Sequence, residues 1–426
     1  MYVADSRGVA EVRGAPRPGP RAAAIAPTVF ALGAVSLITD VSSEMITAVL
    51  PLYLVAGLGL SPLGFGLLDG VYNGFSAVVR LAGGHLADRR AGHKAVAVAG
   101  YGLSALCKPL LLVAHTLPVI GAVLAADRTG KGLRTAPRDA MISLASAPEA
   151  HGRAFGVHRA MDTAGALLGP LVAFAILRQA AEGYDAVFTV STCAAVTGVL
   201  VLLLFVPGRS ARSAEAPGAA RVSLRAALAL LRRRDLRRLT ICALLLGLAT
   251  VSDSFVYLVL QHRFDVPVQW FALLPLGTAA AFLALTVPLG RLADRCGRWR
   301  VFLGGHVLLL GAYGLLLTPW HFAAMPYVVL ALHGTFYAAT DGVLMAAAAS
   351  AVPSRLRSSG LALVQTGQAA ARFACSLAFG AAWTAWGDHT ALMATALALA
   401  VCVGVTAWLR PAGTAGGPAA RSGRAA

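Results

Sequence analysis
Stretches of about 20 apolar residues, parted by short segments that carry charge, proline or glycine, decide what this chain can become. A helix needs about 20 such residues to cross the hydrocarbon core of a bilayer. Twelve stretches qualify, at 28–57, 64–86, 95–114, 118–146, 153–177, 186–206, 237–261, 268–290, 300–318, 323–351, 357–384 and 389–409. They fall into two groups of six, separated by an Ala/Pro/Gly/Ser-rich segment that ends in the Arg-rich stretch 222–238. Composition agrees: 58% of residues are hydrophobic and 13% charged, where a soluble globular domain carries about 45–50% and 25%. A soluble enzyme and a disordered chain are both excluded. The expectation is an all-α integral membrane protein without enzymatic activity.

The net charge of +17 does not describe a nucleic-acid binder, which presents a solvated basic stripe with interleaved aromatics. Here the basic residues sit between the apolar runs. With the N-terminus placed in the cytoplasm, 26 of them fall in inner segments and only Arg178 and Arg263 in outer ones. That asymmetry is the positive-inside pattern for an even number of spans with both ends inside. The expected organisation is a disordered cytoplasmic tail at 1–27, a six-helix bundle at 28–206 and a cytoplasmic linker at 207–236. A second bundle at 237–410 and a short tail at 411–426 follow. The six cysteines are scattered, with no CxxC pair and no histidine at metal-ligand spacing, so neither a disulfide framework nor a metal site is expected.

The two halves share a motif. GHLADRRAGHK begins at Gly84 and contains Asp88, Arg89 and Gly92; GRLADRCGRWR begins at Gly290 and contains Asp294, Arg295, Gly297 and Arg298. The offset is about half the chain. Parallel repeats of this kind build one large class of secondary transporters, with the site between the halves. The repeated motif resembles the turn between helices 2 and 3 of the major facilitator superfamily, and the likeness extends over nearly the whole length. It implies twelve transmembrane helices in two pseudo-symmetric six-helix bundles, and cytoplasmic turns that latch and release the halves. Arg128, Lys131 and Arg134 in span 4 resemble that superfamily's Arg-x-x-Gln-Gly motif, with Lys131 in place of Gln. Gly156, Gly165, Gly169 and Pro170 in span 5 resemble the antiporter motif of its proton-driven drug exporters.

Charge inside a span is costly, about 2.5–3.5 kcal/mol per group on insertion scales, and it marks a cavity or a pair. Span 1 carries Asp40 and Glu44 one turn apart. Span 4 carries Asp127, Lys131, Arg134 and Arg138 along one stripe, with Arg128 and Asp139 beside it; spans 7 and 10 carry Asp253 and Asp341. Spans 1, 4, 7 and 10 line the central cavity in the resembling fold. Asp40, Glu44, Arg128, Lys131, Arg134, Asp253 and Asp341 are therefore the candidate proton-coupling and substrate residues, with Arg128 expected to tune the span 1 acids. Asp127, Arg138, Asp139, Arg159 and Asp162 read as a structural charge network. His158 reads as a helix-packing group, and Lys108 and Arg372 as groups that snorkel or pair. Tyr72, Asn73, Gln365 and Gln368 are weaker substrate contacts, and Trp320, Trp383, Trp386 and Trp408 are expected to anchor span ends at the membrane interface.

The resemblance implies secondary transport by alternating access: proton-coupled efflux of a small organic or amphipathic solute, or uptake of an anionic or zwitterionic metabolite. No cofactor is expected, a proton gradient serving as the energy source. The expected partners are the solute, protons and the bilayer, with the chain a monomer in the cytoplasmic membrane.

Overall fold
The structure is a computed structural model that describes residues 25–73, 92–146, 150–180, 183–207, 232, 234–320, 322–352 and 357–409. Among these residues there are helices and connections but no strands. The N-terminal half contains α1 (Pro27–Leu52), α2 (62–73 in its described part), α3 (His93–Val113) and α4 (Leu117–Leu144). It continues with α5 (His151–Gln179) and α6 (Tyr184–Phe205). The C-terminal half contains α7 (Arg234–Leu248), α8 (Asp253–Phe264), α9 (Val268–Phe271) and α10 (Leu274–Cys296). Then come α11 (Arg298–Leu317), α12 (Met325–Ala351), α13 (Arg357–Trp386) and α14 (Asp388–Leu409).

Nine helical stretches among the described residues are long and apolar enough to cross a membrane. α4 has the length, at 28 residues, but its charged stripe lowers its hydropathy. Large apolar side chains such as Leu204, Phe205 and Val401 are exposed on the outer faces, where water would penalise them and lipid does not. Trp320, Trp386 and Trp408 are exposed near helix ends. Trp383 departs from the expected anchor role: it is half-buried and packs on Phe255 and Phe379.

Three spans differ from uninterrupted helices. α1 carries Pro51 in its last turn and runs on as a π-helical turn, Tyr53–Gly57. The seventh span is broken between Leu248 and Asp253, and the eighth is preceded by the four-residue α9. The break in the seventh has a definable cause. The backbone N–H of Val251 donates to the Tyr313 hydroxyl at 2.8 Å instead of to a carbonyl of its own helix. Asp253 then opens α8 in the first turn, where a carboxylate favours the positive end of the helix dipole.

The repeated motif also differs from a simple turn. Gly84, Asp88 and Arg89 lie outside the described residues. In the second copy Gly290, Asp294 and Arg295 belong to α10, and the chain turns at Gly297 alone. Gly92 and Gly297 occupy equivalent places, each at the N-cap of the next helix with positive φ, 70° and 98°. That backbone is strained for any residue with a Cβ, so Gly297→Ala should cost about 1–3 kcal/mol. A fall in the thermal midpoint of the purified protein, larger than that for Gly290→Ala within α10, would check it.

Within each half, glycines let backbones meet. Gly165 and Gly169 of α5 lie on the backbone of α1 at Leu37 and at Glu44–Met45, so the two helices run parallel in close contact. Gly156 faces open space, and Pro170 is buried within α5. Between the halves, α2 crosses α13 antiparallel: Gly66 and Gly70 lie against Ser376 and Phe373, and Gly380 against Pro62 and Leu63. Hydrogen bonds tie this crossing, from Ser376 Oγ to Asp69 at 2.7 Å and from the Leu63 N–H to Thr384 Oγ1 at 2.9 Å. An aromatic chain of Phe65, Phe255, Phe379 and Trp383 spans it. Phe174 of α5 meets Trp270 of α9 on the other side. All these joints lie at the end of the bundle away from the N- and C-terminal ends of the described chain.

Candidate functional site
A cavity of about 380 Å³ lies between the halves. Its N-terminal wall includes Glu44, Thr47, Tyr72 and Asn73; its C-terminal wall includes the unwound residues Thr250–Ser252, then Asp253, Tyr257, Tyr337, Asp341 and Arg372. The break in the seventh span thus brings backbone polar groups and an acid to the cavity. Irregular backbone at membrane depth is tolerated only where it is buried in protein or lines such a space.

Each half holds its own polar system. In the C-terminal half Asp253 accepts from Tyr337 Oη at 2.5 Å and from His333 Nε2 at 3.0 Å. His333 is fully buried, and its Nδ1 has no partner. Arg372 stands 5.8 Å from the Tyr337 ring centre and faces the same cavity as Asp341. Of the two readings of Arg372, snorkelling or pairing, its place in the cavity wall rules out the first.

The N-terminal half holds two separate charge clusters. The first is buried: Asp127 accepts from Lys108 Nζ at 3.0 Å and from Arg128 at 2.6 and 3.1 Å. Arg128 also lies over the Tyr72 ring at 3.8 Å, a cation–π contact that suits a desolvated guanidinium. Arg128 is therefore committed to Asp127 and Tyr72, and does not pair with Asp40 or Glu44 as expected.

The second cluster runs along α1 and α4 as a ladder. Lys131 faces Glu44 at 4.0 Å, Arg134 faces Asp40 at 3.7 Å, and Arg138 donates to Ser36 at 3.3 Å. The helical repeat places these pairs one turn apart on antiparallel helices. Arg138 also pairs with Asp139 at 3.1 Å and Asp162 at 3.5 Å, and the exposed Arg159 reaches Asp162 at 3.4 Å. Asp127, expected in this network, belongs to the first cluster instead. His158 bonds Ser36 at 2.9 Å and so ties α5 to α1.

The structure thus brings Glu44, Asp253 and Asp341 to one cavity, and sets Asp40, Lys131 and Arg134 just behind its N-terminal wall. Sequence reasoning missed Asp69 and His333. Asp69 stands in an apolar run, and the rule that singled out the other intramembrane acids applies to it equally.

Two helical halves around a polar central cavity, with a broken helix and buried ion pairs at mid-depth, define a multi-pass membrane carrier. Residues 32–375 match the family described as the Major Facilitator Superfamily. The chain belongs to that superfamily: it is a secondary transporter and not an enzyme. It is 28% identical over 381 residues to an uncharacterized MFS-type transporter of Methanocaldococcus jannaschii, covering 87% of this chain and 92% of that one. It is 36% identical over 176 residues to an uncharacterized protein of Mycobacterium tuberculosis, covering 41% and 42%. Among solved structures, nucleoside transporter NupG superposes with a TM-score of 0.76 at 14% identity, over 90% of this chain and 98% of that one. A bacterial homologue of the human lysosomal transporter Spinster, inward-facing and unoccupied, gives 0.70 at 14% identity, over 90% and 96%. These likenesses establish the fold.

Proposed function
We propose that the protein exports a small amphipathic organic solute carrying positive charge, in exchange for protons. The observation that carries this reading is the charge of the cavity: among its described lining residues Asp253 and Asp341 stand against the guanidinium of Arg372, while Glu44 on the opposite wall faces Lys131. Tyr72, Tyr257, Tyr337 and Phe282 add aromatic surface, which attracts a cation through the ring faces. The alternative of anion uptake drew on the excess positive charge of α4. Those cations are compensated by Asp127, Glu44, Asp40, Asp139 and Asp162, which removes its motive. With the positive-inside orientation, the joined ends of α2 and α13 form the outer gate, and the cavity belongs to an inward-facing carrier.

The test is transport in everted vesicles under an imposed proton gradient, with a panel of lipophilic cations, neutral amphiphiles and organic anions. Cation-dependent proton flux is expected, and flux with anions alone would refute the reading. Asp341→Asn and Glu44→Gln should each weaken cation binding about 10- to 100-fold, the loss expected for a charge-assisted contact.

A further inference from the structure
We propose that Asp69 of α2 binds the exchanged proton and that its charge sets the outer gate: the neutral acid lets α2 and α13 close, and the carboxylate parts them.

Asp69 lies inside the crossing between the halves. It stands between Gly66 and Gly70, the residues that bring α2 onto Ser376 and Phe373 of α13, and it is 5% exposed. Its Oδ2 is 2.7 Å from Ser376 Oγ in the opposite half, and its Oδ1 accepts from Asn73 Nδ2 at 3.2 Å in its own helix. Both partners are neutral. The void of about 20 Å³ beside Asp69 is lined by Thr47, Tyr72, Ser254 and apolar side chains, and among these described lining residues there is no cation. Asp127 and Asp40, by contrast, face Lys108, Arg128 and Arg134. A buried carboxylate without a paired cation is so costly that the group takes a proton instead. The 2.7 Å contact accommodates that proton, because a serine hydroxyl accepts from a carboxyl O–H as readily as it donates to a carboxylate.

The charged and titratable groups around it come from four helices. α13 carries Arg372, one turn from Ser376 and drawn to the Tyr337 ring, and the buried thiol of Cys375. α8 carries Asp253, which is held by Tyr337 and His333. α1 presents Thr47 to Asp69, with Glu44 one turn away in the solute cavity. α4 presents Leu124, and its Arg128 is engaged by Asp127 and Tyr72.

The proton has a route on each side. Thr47, Tyr72 and Ser254 line both the small void and the solute cavity, and Thr47 Oγ1 and Tyr72 Oη are 2.6 Å apart. The void holds about one water, which completes a path of hydroxyl groups from Asp69 to the inner side. On the outer side, parting α2 from α13 exposes Asp69 directly. The carboxylate takes a proton from outer water, and the crossing closes over the neutral acid. A cation arriving at Asp253, next to Ser254, then favours loss of that proton. The Asp69 O–H bond breaks and the proton passes to cavity water. The unpaired carboxylate left behind drives the crossing apart, and the cation leaves outward. Proton binding and closure are reciprocal, so the gate closes as pH falls. The exchange with solute rests on the export reading above; the pH-dependent closure does not.

The test is the distance between nitroxides at Ser61 and Trp386, with the exposed Cys193 and Cys296 replaced, measured by pulsed electron resonance across a pH series without solute. The short distance should dominate in acid. The ratio of closed to open protein should fall by up to about 10-fold per pH unit, the slope for one linked proton. Asp69→Asn keeps the shape but cannot ionise, and should stay closed at every pH; Asp69→Thr repeats the test if Asp69→Asn fails to fold. Glu44→Gln should keep the pH response. A distance that ignores pH in the unmodified protein, a response that persists without Asp69, or one that is lost in Glu44→Gln overturns the proposal. A response removed by Asp69→Asn, in a protein that shows no cation-dependent proton flux in everted vesicles, keeps the latch and refutes the export reading. Flux that survives in Asp69→Asn refutes the latch and keeps that reading.

Discussion

Replacing Asp127 by Asn should lower the stability of the purified protein by about 3–5 kcal/mol, the cost of leaving buried charge without its partner. Among the described residues Asp127 is the only acid paired with the two cations Lys108 and Arg128, and all three side chains are about 95% buried. Taking the carboxylate away leaves an ammonium and a guanidinium facing each other in a low-dielectric interior. Tyr72 under Arg128 recovers a part of that loss only. The order of variants is diagnostic. Lys108→Met leaves Asp127 and Arg128 as a one-to-one pair, so it should cost clearly less than Asp127→Asn. Added salt should change neither value much, since buried charges are poorly screened. Thermal or denaturant unfolding in detergent measures both; equal losses would show that packing, not charge balance, governs this site.

The same cluster shows what the sequence conveys and what it leaves out. Six charged groups in one apolar run announce that α4 lines something polar, because charge in a span must be paid for by a partner. Which partner each group takes depends on helix azimuth and on neighbours far along the chain. Arg128 turns to Tyr72, 56 positions back, while Lys131 and Arg134, three residues apart, form successive rungs against α1. The twelve runs and the repeated motif are legible because both depend on local composition. The break before Asp253 is not, because Ala249 and Val251 are apolar and the hydroxyl of Tyr313 that takes the Val251 N–H belongs to another helix. His333 escaped for a related reason. A neutral imidazole in an apolar run looks like packing until the fold sets it 3.0 Å from Asp253.

Gly66→Leu should abolish transport while leaving the protein inserted and folded, whereas Gly165→Leu should destabilise it. The two glycines look alike locally: a Cβ at Gly66 meets the Ser376 backbone carbonyl, and one at Gly165 meets the backbone of Leu37. They differ in whether another conformation relieves the clash. Gly165 sits inside the N-terminal half, where α1 and α5 stay packed, so overpacking there costs about 1–3 kcal/mol of stability or more. Gly66 sits on the crossing between the halves, which a carrier that alternates must open. The same cost then falls on one state only and shifts the equilibrium between states by about 5- to 150-fold. Nitroxide pairs at Ser61 and Trp386, placed after replacing the exposed Cys193 and Cys296, report the separation of α2 from α13. In Gly66→Leu the distance distribution should move to longer values with an unchanged thermal midpoint. An unchanged distance with a lowered midpoint would mean that α2 and α13 belong to a fixed core. The gate would then have to lie elsewhere, because a joint that never parts cannot expose the cavity to the opposite side of the membrane.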